Sequence, residues 1–157
     1  METKEATLNK AIQETKAISR TIIESGQEHQ PTLLILTPTE GINTLIGWVD
    51  KENFKEVVSQ LLHHFHAYAY IFINEAWTAH VDKNSPLAQE IMSGRKKISE
   101  LPLDDKDEIL MIMAAENGKS YRSWAAKIRY TREDKRYLDE WMEDEGVADG
   151  RMVLKEW

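Results

Sequence analysis

From Ala67 the chain alternates with a period of two, and both halves of the alternation begin apolar. Tyr68, Tyr70, Phe72, Asn74, Ala76 and Thr78 fall on one face, and Ala67, Ala69, Ile71, Ile73, Glu75, Trp77 and Ala79 on the other. A strand apolar on both faces is a central strand covered on both sides, so the chain must build layers around it. Carried on to Val81 it would reach about 50 Å, longer than most strands, and the spacing predicts a bend or an end near Ala76.

A second constraint is local. Asn117 and Gly118 separate the strand-like runs Ile109–Ala115 and Tyr121–Tyr130, and Asn-Gly is the preferred two-residue hairpin turn. That turn sets Glu116 opposite Lys119, Met113 opposite Arg122 and Met111 opposite Trp124. A further hairpin is expected from Thr32–Thr37 and Asn43–Val49, joined by Pro38, Thr39, Glu40 and Gly41.

Helical periodicity appears twice. Leu8, Ile12, Thr15, Ile18 and Ile22 recur at spacings of three and four, with Gly26 as a stop, and predict an amphipathic N-terminal helix packed on its own domain. Asp50 stands at an N-cap position, followed at helical spacing by Phe54, Val57, Val58, Leu61, Leu62 and Phe65. Between Asp82 and Asp107, proline, glycine, a basic run and an acidic cluster indicate a long irregular excursion holding a short helix at Leu87–Met92. The stretch 131–145 fits a helix capped by Thr131, and also a meander strand over Arg136–Met142, the helix slightly better. Arg151–Trp157 reads as a short strand or ordered tail. The expectation is one α+β domain over residues 1–157. Its sheet is mainly antiparallel, with the N-terminal helix and the second helix (50–66) packed on one side.

Composition bounds the chemistry. The 157 residues carry 20 Lys and Arg against 27 Asp and Glu, a net −7, which disfavours wrapping nucleic acid or lying on an anionic membrane. A chain of this size needs no covalent staple. The absence of cysteine removes disulfides, thiolate zinc sites, iron–sulfur clusters and a cysteine nucleophile. Neither a signal-peptide pattern nor an apolar run of membrane-spanning length occurs, so a cytoplasmic location is expected.

Few residues suggest chemistry. His63, His64 and His66 cluster near the end of the second helix, but their spacing does not put two ligands on one face, and no metal is expected there. Glu75 lies between Ile73 and Trp77 on an apolar face, where a desolvated carboxylate would suit general acid or base work. The competing reading leaves it exposed at a strand end. Signatures of serine hydrolases, dinucleotide sites and phosphate loops are missing, and no cofactor is expected.

Charge is distributed unevenly. Lys119 to Arg136 holds seven bases against two acids, whereas Asp139 to Asp149 holds six acids and no base. Lys119, Tyr121, Lys127 and Arg129 share one face of the expected strand and form a candidate interaction surface. Such basic and aromatic interleaving suits single-stranded nucleic acid, and neutralisation by the acidic stretch folding back is the more economical reading. Trp124, Tyr130, Trp141 and Trp157 are candidate anchors.

Through Glu75-Ala76-Trp77, the run from Leu101-Pro102 to Glu108-Ile109-Leu110-Met111, and the ending Leu154-Lys155-Glu156-Trp157, the chain resembles small uncharacterised prokaryotic and phage-type α+β proteins. The resemblance implies no activity and transfers no site residue. The leading expectation is a non-enzymatic protein-interaction or regulatory module, with protein rather than nucleic acid or membrane as partner. The alternative is a hydrolase or nuclease-like enzyme using Glu75, His80 and Asp82 beneath the excursion as a lid.

Overall fold

A computed structural model describes residues 3–47, 50–79, 82, 84–143, 154, 156 and 157, with Lys51 described through its backbone alone. Helix α1 spans Lys4–Glu24, capped by the Thr3 hydroxyl on the Ala6 N–H. Strands β1 (Thr32–Thr37) and β2 (Gly41–Ile46) precede a 3-10 turn at Lys51–Asn53 and helix α2 (Phe54–His64). Strand β3 (Ala69–Ala79), helix α3 (Pro86–Met92), and strands β4 (Lys106–Glu116), β5 (Arg122–Tyr130), β6 (Arg136–Leu138) and β7 (Met142–Glu143) complete the order. The strands form one antiparallel sheet ordered β2-β1-β3-β4-β5-β6, with β7 also pairing β5. The fold is therefore α+β.

Strand β3 runs unbroken past Ala76 and pairs with β4 from Ala69–Glu116 through to Ala79–Lys106. Continuous pairing removes the reason for a bend, because every β3 residue keeps a ladder partner on β4. As the alternation requires, both faces of β3 are covered, but not by two helices on one side. Ala69, Ile71 and Ile73 pack with Leu8, Ala11, Ile12 and Ile23 of α1, and with Leu110, Ile112, Trp124, Ala126, Ile128 and Leu138. Tyr70 and Phe72 pack with Phe54, Val58 and Leu62 of α2, and with Leu33, Ile35, Met113, Ala115 and Leu154. The helices thus lie on opposite faces, one for each apolar face of β3.

Local departures from expectation have visible causes. The buried stripe of α1 turns from Ile18, which is exposed, to Ser19 and Ile23. Ser19 takes the core position because its hydroxyl meets the buried His29 ring. Helix α2 starts after the 3-10 turn and not at Asp50, whose carboxylate instead accepts from the Glu52 N–H. It ends in a Schellman arrangement: the His66 N–H donates to the His63 carbonyl, the Ala67 N–H donates to the Leu62 carbonyl, and His66 has a φ of 53°.

The β4–β5 hairpin is shifted by one residue, with Ala114 opposite Arg122, Met113 opposite Ser123 and Ile112 opposite Trp124. A type I′ turn needs positive φ at both central residues. Here only Gly118 has it, at +83°, while the Lys119 N–H donates to the Glu116 carbonyl. Asn117 is held otherwise: its backbone N–H donates to the Tyr68 carbonyl and its amide exchanges hydrogen bonds with the Trp157 backbone.

Residues 131–143 are not helical. Thr131 closes a tight loop instead of capping a helix, its hydroxyl accepting from the Lys135 N–H, and the chain returns along β5 as β6 and β7. The 82–107 stretch contains α3 at Pro86–Met92, and two 3-10 turns, Ile98–Glu100 and Leu103–Asp105, that return it to β3 and β4. Its last two residues belong to β4. Of the expected C-terminal strand or tail, residues 151–153 and 155 lie outside the described residues, while Leu154 is buried. No helix among the described residues is long and apolar enough to cross a membrane.

Candidate functional site

Alternation along paired strands brings Glu75 of β3, Glu108 of β4, Tyr130 of β5 and Arg136 of β6 onto the face covered by α1. The Arg136 guanidinium bonds Glu75 through Oε1 and lies 3.1 Å from Oε1 of Glu108. Glu75 Oε2 accepts from the His29 backbone N–H at 2.6 Å, and Glu108 Oε2 accepts from the Tyr130 hydroxyl at 2.8 Å. Burial, and then the bond to Glu108, raise the Tyr130 phenol above its ordinary pKa. With side-chain exposures of 13% for Arg136 and 15% for Glu75, this pair is largely withdrawn from water.

Every carboxylate oxygen in the cluster already has a protein donor. Glu75 is thus neither an unpaired desolvated acid nor an exposed strand end, because a base 61 residues away in sequence reaches it. His80 lies outside the described residues. Asp82 is exposed, and its carboxylate accepts from the Asn84 N–H in the turn leading to α3, where its carbonyl accepts from Ser85.

A second cluster escaped the sequence reading. Ser19 Oγ and His29 Nε2 lie 3.0 Å apart, and His29 Nδ1 lies 2.8 Å from the Gln30 carbonyl. A carbonyl only accepts, so Nδ1 carries a proton, and in the neutral ring Nε2 then accepts from the Ser19 hydroxyl. The spacing is that of a nucleophile and its base, yet both residues are buried and the orienting group is a backbone carbonyl. The one hint in the sequence was a serine four residues after Thr15, and so on the same helical face.

The basic surface is countered pair by pair. Lys119 lies 2.6 Å from Glu116, Lys127 3.2 Å from Asp107, and Arg129 2.7 Å from Asp139 in the acidic stretch. Lys119 stands in the turn outside the ladder, and Tyr121 packs against the α2-side core. Trp124 is buried and Trp141 packs against the α1-side core. Trp157 donates its indole N–H to the Ala67 carbonyl. Among the described residues no cluster of histidine and carboxylate side chains is arranged to hold a metal. An open depression of about 670 Å³ near the start of α1 is lined by both charge signs, including Lys4, His66, Glu116 and Lys119.

The sheet's two edges differ. One is formed by β6 and β7, three and two residues long among the described residues. The other is β2, six residues long, without a charged side chain from Gly41 to Gly47, and with no partner on its outer side among the described residues. Ile42 is 46% exposed and Ile46 68%. The Gly47 N–H donates to the Pro31 carbonyl, so the ladder's alternation turns the backbone groups of Asn43 and Leu45 toward β1. The N–H and C=O groups of Ile42, Thr44 and Ile46 consequently point outward. The expected strand Asn43–Val49 overlaps β2, and nothing in the sequence marked it as a surface, because this edge carries neither charge nor a catalytic motif.

No family model, no curated protein and no solved structure matches the chain.

Proposed function

We propose that this protein is a non-enzymatic protein-interaction module whose docking surface is the outer edge of β2. One observation carries this reading: a six-residue, uncharged strand edge with exposed isoleucines has no partner among the described residues, in a sheet whose opposite edge is charged. An open edge of that composition is a template for an added strand, in which main-chain hydrogen bonds supply affinity and alternate side chains supply selectivity. The polar clusters support the same reading from the other side. Glu75, Glu108 and Arg136 satisfy one another, and Ser19 and His29 are buried, so the groups best suited to catalysis act as structural ties.

Parallel capture with wild-type and Ile46→Lys bait tests the reading. Proteins retained by wild type are expected to be depleted at least about tenfold by a lysine on the edge, a loss of about 1.4 kcal/mol. The far-ultraviolet spectrum should not change. Equal capture by the two baits would remove β2 as the docking surface.

A further inference from the structure

We infer that the strand added to this edge is β2 of a second copy of the same chain, paired antiparallel about a twofold axis through Thr44. The inference rests on the reading of β2 as the docking edge and names its occupant. Two observations select a second copy. The first is symmetry at alternate positions: Ile42 and Ile46 stand two residues to either side of Thr44, while Asn43 and Leu45, on the other face, meet each other across the axis. With the twofold axis there, Thr44 meets Thr44 of the second copy, and Ile42 meets its Ile46. Since the backbone groups of these three residues point outward, each exchanges both its hydrogen bonds across the axis. The alternating side-chain pattern then places Ile42, Thr44 and Ile46 of both copies on the α1 face, so isoleucine packs on isoleucine and threonine on threonine.

Charge is the second observation. Two chains of net −7 repel wherever their acidic surfaces meet, and Gly41 to Gly47 carries no charge to oppose. The register therefore brings no like charges together within the paired strands. A twofold axis also closes the assembly, because each β2 edge is consumed once. The product is a continuous antiparallel sheet across two copies.

Sedimentation equilibrium of the purified full chain, from about 1 μM to about 1 mM, tests this over the range a modest strand-pair interface spans. The expected result is a rise from the monomer mass to twice that mass for wild type. Thr44→Pro and Ile46→Lys should stay monomeric throughout. Proline at position 44 removes an outward N–H and leaves the bonds to β1 intact, as edge strands tolerate. Ile46→Lys introduces a charge at an exposed position and serves if Thr44→Pro fails to fold. A wild-type chain monomeric at every concentration overturns the inference, as does a dimer that persists in a folded variant. A monomeric wild type whose captured proteins are still lost with Ile46→Lys would sink self-pairing alone, whereas a monomeric wild type with equal capture by both baits would sink the docking edge itself.

Discussion

Tyr70 joins the middle of the sheet to the chain's last residues. Its hydroxyl donates to the Leu154 carbonyl and accepts from the Leu154 N–H, while its ring meets Trp157 edge-on at 5.5 Å. Burial pushes the phenol from an ordinary 10.0 up to about 12, with the Leu154 backbone bond acting in the opposite direction. Folding therefore disfavours the phenolate. The stabilisation linked to the neutral phenol is complete below pH 10 and is lost as pH rises through 12. Tyr70→Phe should lower stability at pH 8 by about 1–2 kcal/mol, the cost of orphaning the Leu154 backbone groups. It should also flatten the decline between pH 10 and 12, as read from urea midpoints. A parallel decline in both proteins would contradict this assignment. Tyr70 could be placed on a buried strand from alternation alone. Its partner could not, because nothing local marks Leu154, 84 residues away. Glu75 shows the same limit: period two gave its face, but only the tertiary fold supplied Arg136.

At the scale of elements, Arg136 fastens β6 to β3 and β4, and Arg20 of α1 reaches the Leu138 and Asp139 carbonyls of the same segment. Arg136→Ala would leave two adjacent, largely buried carboxylates without their shared cation. A loss of about 3 kcal/mol is expected, and combining it with Glu75→Gln should recover part of that loss. Chemical denaturation of the four proteins in this cycle measures the coupling, and strict additivity would show that the pair does not act as a unit. The same segment shows why elements differ in legibility. Strand β3 and helix α2 repeat their period over enough residues to be recognised. Strand β6 has three residues and is defined by pairing with β5 and by contacts to α1, so a helix competed with it on local pattern. The β4–β5 turn was recognised and its register misplaced by one residue, because Asn117 is committed to Tyr68 and Trp157.

For the whole molecule, the period-two pattern of β3 already required cover on two faces, and the structure supplies it with α1 on one and α2 on the other. What composition could not convey was the asymmetry of the edges, since an uncharged edge and an uncharged core strand look alike in sequence. Net charge was similarly silent: the basic stretch after Lys119 is answered at Glu116, Asp107 and Asp139, which leaves the uncharged edge as the distinctive surface. Residue-resolved amide exchange at low and high protein concentration tests the central claim most directly, that β2 accepts the β2 strand of a second copy. The N–H groups of Asn43 and Leu45, committed to β1, should be protected at both concentrations. Those of Ile42, Thr44 and Ile46 should exchange rapidly when dilute and gain at least about tenfold protection when concentrated. Rapid exchange of these three at every concentration would contradict the account.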